Sequence, residues 1–239
     1  MGNNELIEKC KKEAAKLAVD ENIKNGMKIG IGSGSTVVFA VQRLGEIVKQ
    51  NNWDVICVPT SHQSEHLIIE NGLKLTTLNL NPELDIDIDG ADEVDSNLNL
   101  IKGGGGCLLQ EKIAAYFSKK LIIIADFRKK SQFLGENWKT GIPIEVVPGA
   151  CIPVMKEIEK LGGHPTLRMG VAKAGPVVTD NGNFIVDADF HIIKEPANLD
   201  QKLRDIAGVI DTGLFVNMAS IAYIGNKDGT VEKIEKKLK

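Results

Sequence analysis

The chain has 239 residues, 43% hydrophobic and 26% charged, enough for one substantial core or for a main domain with a smaller companion. Its 29 basic and 32 acidic residues leave a formal charge of −3, and it has only two Trp, two Tyr and seven Phe, which excludes the basic field and the stacking platform of a nucleic-acid binder. A mean hydropathy of −0.06 excludes an integral membrane protein, and the longest aliphatic stretch, Leu121 to Ala125, is far shorter than the ~20 residues that span a bilayer.

In chain order, residues 6–22 predict a helix with Leu6, Ala14, Leu17 and Ala18 on its apolar side. Lys28 to Ile31 predicts a short buried strand that ends in the turn Gly32-Ser33-Gly34-Ser35-Thr36, and Val37 to Val48 resumes a helical pattern. Val55 to Val58 predicts a second strand, closed by Pro59-Thr60-Ser61 and followed by a helix through Ile69. Leu84 to Ile88 and Leu121 to Ile124 complete a set of four strands alternating with helices, the pattern of parallel βαβ units. The fold class expected is α/β: a Rossmann-like layered sheet with helices on both faces.

From residue 141 the composition changes. A strand at Ile144 to Val147, a helix at Val154 to Leu161, a hairpin over Pro176 to Asp187 around Thr179-Asp180-Asn181-Gly182, and a helix at Glu195 to Ile206 give a β-α-β-β-α-β order. Residues 141–209 are therefore expected to form a small inserted α+β domain, with 1–140 and 210–239 forming the larger one. Leu214 to Val216 is expected to return to the main sheet, and the Lys-rich tail from Lys233 to form a solvated helix face. Cys10, Cys57, Cys107 and Cys151 are widely spaced with no C-x-x-C pair and read as reduced thiols. Met1 to Leu6 lacks a signal-peptide pattern, and Leu6 stands where a myristoylation motif needs Ser or Thr, so a cytoplasmic protein is expected.

All four early strands end in small or polar residues, and in open α/β sheets such ends line the ligand crevice. The Gly32–Thr36 turn offers backbone amides, a helix N-terminus and three hydroxyls to an anion. Its spacing fits neither the dinucleotide fingerprint, since Ser35 stands where the third glycine belongs, nor a Walker A loop, which needs a lysine after the last glycine. A small phosphate ester fits better; a purely structural tight turn is the alternative. Asp85, Asp87, Asp89 and Gly90 imitate half a calcium loop, but Ser96 stands at the twelfth position, which leaves a strand delivering Asp89 and Asp92, with Glu93 adjacent. Such carboxylates could bind sugar hydroxyls or move protons; a solvated acidic turn is the other reading.

Lys102 and Gly103 to Gly106 run directly into an apolar helical stretch containing Glu111. A carboxylate base beside a lysine and backbone amides suits removal of a proton next to a carbonyl, the cation and amides stabilising the oxyanion. His62-Gln63-Ser64-Glu65-His66 fits the H-x-x-E-H zinc pattern but has no third ligand nearby in sequence, and reads as two exposed histidines on a helix face. Of Arg128, Lys129 and Lys130, one falls at a strand end where it could meet a phosphate dianion.

Together these blocks resemble the A-type ribose-5-phosphate isomerase family, eukaryotic members above all. The resemblance runs through Gly30 to Thr36, Asp89-Gly90-Ala91-Asp92-Glu93, Lys102 to Gly106 with Gln110-Glu111-Lys112, Ile124-Ala125-Asp126 with Lys129, Pro143 to Val146, the Lys173-Ala174-Gly175-Pro176 stretch, Gly175 to Asn183, and Asp211 to Phe215. It implies interconversion of D-ribose 5-phosphate and D-ribulose 5-phosphate in the non-oxidative pentose phosphate pathway, without metal or organic cofactor. It also implies Glu111 as the base acting through a cis-enediolate, and Asp89 as an aid to proton movement at O1 or to ring opening. Lys102 with the amides of Gly103, Gly104 and Gly105 would steady the enediolate, and Asp92 would hold sugar hydroxyls. Ser33, Gly34, Ser35, Thr36, Gly90, Ala91 and Lys129 match substrate- or phosphate-binding positions, and Lys12 sits where the family has a further phosphate lysine. The small domain matches a ferredoxin-like lid and oligomerisation domain, so a homodimer or homotetramer is expected. Two other readings share parts of this pattern. A sugar-phosphate sensor would keep the turn but need no Glu111 and would require a DNA-binding module; a coenzyme A transferase relative would use a glutamate as nucleophile.

Overall fold

A computed structural model describes residues 3–236; the ends of the chain, including the start of the Met1–Leu6 segment and residues 237–239 of the Lys-rich tail, lie outside the described residues. The elements in chain order are α1 (Asn3–Asn22), β1 (Lys28–Ile31), α2 (Ser35–Asn51), β2 (Ile56–Pro59), α3 (His62–Glu70), β3 (Lys74–Leu75), β4 (Ile86–Asp89), β5 (Glu93–Val94), β6 (Leu100–Ile101) and α4 (Leu108–Tyr116). They continue with β7 (Leu121–Asp126), β8 (Ile142–Val146), α5 (Cys151–Lys160), β9 (His164–Leu167), β10 (Phe184–Asp189), α6 (Pro196–Arg204), β11 (Val209–Thr212), β12 (Leu214–Phe215), β13 (Ala219–Gly225) and β14 (Val231–Glu235). No helix among the described residues is long and apolar enough to cross a membrane.

The chain divides into two compact units, one made of residues up to Ala91, Gln110–Arg128 and the stretch from Met218, the other of Asp92–Leu109 and Lys129–Asn217. The sequence-based boundary at 141 falls inside the second unit, because β5 and β6 pair with β12 in a separate three-stranded sheet of that unit.

The first unit holds a seven-stranded sheet in the order β14-β13-β7-β4-β1-β2-β3, parallel throughout except for the β13–β14 pair. Side chains alternate across a strand, so Ile29 and Ile31, Ile86 and Ile88, and Ile122 and Ile124 share one face. There they pack with Ala14, Ala15 and Ala18 of α1 and Val37, Val41 and Leu44 of α2. Each such aliphatic side chain contributes roughly 1.5–3 kcal/mol on full burial. The opposite phase carries Gly30 beside Asp87, its register partner, and then Asp89.

Two expectations in this unit are corrected. The strand that returns to the main sheet is β13, parallel to β7; Leu214–Phe215 instead pairs antiparallel with β6. Of the tail, Lys233 to Glu235 lie in a strand: Asp228-Gly229 turns the chain, with the Asn226 amide donating to the Thr230 carbonyl at 2.8 Å, so that β14 returns along β13. Lys233 then reaches Glu21 of α1 at 3.0 Å, and Glu21 also accepts from the Tyr223 hydroxyl at 2.7 Å. The Tyr223 hydrogen bond, then Lys233, hold the Glu21 carboxyl below its ordinary pKa.

In the second unit the β-α-β-β-α-β order read from the sequence is the order found: β8-α5-β9-β10-α6-β11. The sheet runs β11-β8-β10-β9, antiparallel throughout, which is the ferredoxin-like arrangement. Ile142, Ile144 and Val146 of β8 pack with Val154 and Ile158 of α5 and with Val186 and Ala188 of β10. The expected hairpin over 176–187 has only its second arm as a strand; β10 pairs with β8 and β9. The other arm is drawn off because buried Glu145 gathers the Thr179 hydroxyl and the side-chain amides of Asn181 and Asn183 onto one oxygen, at 2.9, 3.1 and 2.9 Å.

Candidate active site

The first unit carries the turn after β1, the end of β4 and the first turn of α4. Helix α3 opens on a capping box, with the Ser64 amide donating to Ser61 Oγ at 3.1 Å and the Ser61 amide to Ser64 Oγ at 3.0 Å. Helix α2 has no such cap: it starts at Gly34, whose φ of 102° is open to glycine and strained for other residues. Its N-terminus therefore keeps backbone donors that no side-chain cap has taken, the arrangement that suits an anion.

Within the turn, the Ser33 amide donates to Asp89 Oδ1 at 3.0 Å and the Gly34 amide to Gln63 Oε1 at 2.8 Å. The Ser33 hydroxyl joins those of Thr60 and Ser61 at 3.0 and 2.7 Å. Gly90 also gives its amide to Asp89 Oδ1, at 2.7 Å, so that one oxygen of this fully buried carboxylate is held by two backbone donors. Ala91 ends this first-unit segment. Ser35 is exposed, and Lys11 of α1, only 8% exposed, reaches its hydroxyl at 3.0 Å while pairing with Glu8 at 2.6 Å. Lys12, the expected phosphate lysine, is exposed on the same helix beside Lys16, Phe39 and Arg43. The sequence did carry a signal for Lys11: with Ile7, Cys10, Ala14 and Ala18 it falls on the buried stripe of α1.

Glu111 is buried in the first turn of α4, where a carboxylate is favoured by the helix dipole. The helix is anchored on its unit by Ala114, which packs with Val58 and Leu84. At the end of β7, Asp126 holds the Arg128 guanidinium at 2.6 and 3.0 Å and raises its pKa further. His62 and His66 stand one turn apart on α3, exposed, with ring centroids 4.4 Å apart; among the described residues no group of three or more His, Cys, Asp or Glu could hold a metal ion. Asp85 accepts from the Lys28 amide at 2.9 Å and pairs with Lys119 at 2.8 Å, which is a strand-end role. Burial raises the Cys57 thiol to about 12 and pushes those of Cys10 and Cys151 upward, leaving them unreactive at neutral pH.

The second unit carries Asp92, Lys102, the glycine run and Lys129. Lys102 is 2% exposed, with its amide donating to the Gly213 carbonyl at 2.8 Å and its ammonium 5.4 Å from the Phe215 ring centroid. Asp92 Oδ2 accepts from the Gly104 amide at 2.7 Å. Gly103 has a φ of 97°, and a side chain there would press on Leu108 and Pro143. Lys129 lies 5.2 Å from the Trp138 ring centroid. Glu93, fully buried, gives both oxygens to the loop amides of Gly135 and Asn137, each at 2.7 Å, and so serves structure.

The donors of the α2 turn suit one small anion, and Glu111 and Asp89 are acids of the kind that move protons. The class defined is an α/β enzyme for small phosphorylated molecules. Residues 56–229 match the family model for ribose 5-phosphate isomerase A (phosphoriboisomerase A). A ribose-5-phosphate isomerase of Dictyostelium discoideum is 61% identical over 94% of this chain and 97% of its own length. One of Homo sapiens is 54% identical over 96% of this chain and 74% of its own length. A solved D-ribose-5-phosphate isomerase in complex with phospho-erythronic acid is 43% identical and superposes with a TM-score of 0.92, covering 96% of this chain and 99% of the other. The chain belongs to the ribose 5-phosphate isomerase A family.

Proposed function

We propose that this protein interconverts D-ribose 5-phosphate and D-ribulose 5-phosphate, the aldose–ketose step of the non-oxidative pentose phosphate pathway, without metal or organic cofactor. The observation that carries the reading is buried Glu111 in the first turn of the helix that directly follows Lys102 and the glycine run. Glu111 removes the C2 proton of the open-chain aldose as the C1=C2 double bond forms and charge moves onto O1; the same carboxyl returns the proton to C1, and the O2 proton passes to O1 as the C2 carbonyl forms. Asp89, fixed by two amides, assists ring opening and proton movement at O1. Lys102 and the glycine-run amides stabilise the developing negative charge, a role in which a single well-placed donor supplies about 3 kcal/mol. Asp92 holds sugar hydroxyls, with Gly90 and Ala91 lining the sugar.

The phosphate is assigned to the α2 turn at Ser33, Gly34, Ser35 and Thr36, with Lys11 and Lys129 as cations and Lys12 as an outer contributor. Binding this remote group orients the reacting carbons. The protein acts in the cytoplasm as a homodimer or homotetramer, with residues 141–209 as lid and oligomerisation domain and 1–140 with 210–239 as catalytic domain. The family resemblance and the ferredoxin-like sheet of β8–β11 support that assignment.

The test is turnover of ribose 5-phosphate in the wild type and in Glu111→Gln. The variant is expected to lose turnover by roughly 10²–10⁴-fold while still binding the sugar phosphate. Wild-type-like turnover in the variant overturns Glu111 as base; tight binding without turnover in the wild type overturns the isomerase reading in favour of a sensor.

A further inference from the structure

Arg168 follows β9 directly, and its amide donates to the Ile185 carbonyl at 2.9 Å, which locks its backbone beside β10. Its guanidinium meets Asp187 at two points, Nε to Oδ2 at 2.8 Å and Nη2 to Oδ1 at 2.5 Å, with the two side chains 16% and 8% exposed. The remaining nitrogen, Nη1, donates to the carbonyls of Gly103 at 2.9 Å and Gly104 at 3.1 Å. A buried ion pair of this kind needs no further partner to hold the sheet; here its free edge is spent on two successive carbonyls of the glycine run.

The geometry of the peptide bond gives that contact a consequence. In a trans peptide, C=O and N–H point in opposite directions. A cation on the Gly103 and Gly104 carbonyls therefore turns the amides of Gly104 and Gly105 away from Arg168. The first of these amides is found on Asp92 Oδ2 at 2.7 Å. The second belongs to the one glycine of the run beside which a side chain would meet open space. Gly106 closes the turn by donating to the Gly103 carbonyl at 2.9 Å, so that carbonyl has two donors. Charge at a carbonyl also polarises the peptide and strengthens its N–H as a donor.

We propose that Arg168, clamped by Asp187, is a positioning residue for the isomerisation: by gripping the Gly103 and Gly104 carbonyls it aims one amide at Asp92 and the next at the oxyanion that forms as the substrate enolises. The proposal rests on the isomerase reading and adds to it a residue that touches no substrate atom.

The experiment compares full-length wild type, Arg168→Met, Arg168→Lys and Asp187→Asn. Its readouts are kcat, KM, the affinity for a phosphorylated hydroxamate that mimics the planar enediolate, and the affinity for ribitol 5-phosphate, which has no enolisable carbonyl. Arg168→Met is expected to lower kcat and hydroxamate affinity together by roughly 10- to 100-fold, with KM and ribitol 5-phosphate affinity within about threefold of wild type. Asp187→Asn, which loosens the clamp but keeps the guanidinium, should lose less along the same axis. A lysine cannot pair with Asp187 at two points and also bridge two carbonyls. Arg168→Lys should therefore show the same split even if the methionine variant fails to fold. Wild-type kcat in Arg168→Lys, or equal weakening of both ligands, overturns the proposal. Absence of turnover in the wild type overturns the isomerase reading instead.

Discussion

At Gly30 and Gly32 the missing side chains are replaced by neighbouring carboxylates, whereas the 103–106 run combines close packing at Gly103 and Gly104 with open space at Gly105. A Cβ on Gly30 would come within 2.6 Å of Asp87 Oδ1, and one on Gly32 would overlap the Asp89 carboxylate. Those glycines sit in phase with two buried acids of the adjacent strand and give them room. In the second run Gly103 has a φ of 97°, its carbonyl and that of Gly104 face a guanidinium, and Gly105 borders open space. In the first segment glycine is required sterically at both positions; in the second, Gly103 adds a backbone requirement to a steric one while Gly105 has no steric requirement, so the two segments fail differently.

The largest effect is expected at Gly32→Ala. The overlap with Asp89 involves a carboxylate already held by two amides, so the strand must shift, at a cost of about 3 kcal/mol or more. A thermal melt should show the loss, and Gly32→Ala/Asp89→Ala should recover most of the melting temperature without recovering turnover, because the clash and its cause are removed together. A double variant as unstable as the single one would break the steric account.

An intermediate effect is expected at the turn's cation. Lys11→Met keeps the buried stem and removes the ammonium beside Ser35, and should raise KM for ribose 5-phosphate by roughly tenfold with kcat little changed. Lys12→Met serves as the contrast, and an equal or larger KM rise there would move the phosphate assignment back to Lys12. The smallest effect belongs to Gly105→Ala, whose stability should stay within about 0.5 kcal/mol of wild type. A melting temperature depressed as far as that of Gly32→Ala would erase the distinction between the two segments.

Much of this was legible in the sequence because the informative segments are long or sharply punctuated. The Lys28–Ile31 strand agrees with β1 residue for residue, and the βαββαβ order survives, since apolar runs bounded by turn residues set both. Two-residue strands such as β3, β5, β6 and β12 are too short for any periodicity to reveal, which is why Leu214–Val216 was expected in the wrong sheet. The lysines around Lys233 suggest a solvated helix face and obscure Asp228-Gly229, the hairpin signal that sets β14. Lys11 carries no local sign of burial beyond its helical phase, because a helix lysine is ordinarily solvated. Glu93 and Arg168 act on loops 42 and 65 positions away, a distance at which sequence carries no local signature.

The contact between Gln63 and Gly34 bears on how tightly any phosphate could be held. The Gly34 amide is satisfied at 2.8 Å by a neutral amide oxygen on an exposed side chain. An anion that takes this donor evicts the glutamine, so the affinity gained there is an exchange energy, a charged acceptor against a neutral one, smaller than the value of a new bond. In return the turn is already folded around an acceptor when the anion comes, and the entropy of ordering it is not charged to binding. On the proposed phosphate assignment, Gln63 would be a resident surrogate, trading some depth of binding for a turn kept in shape.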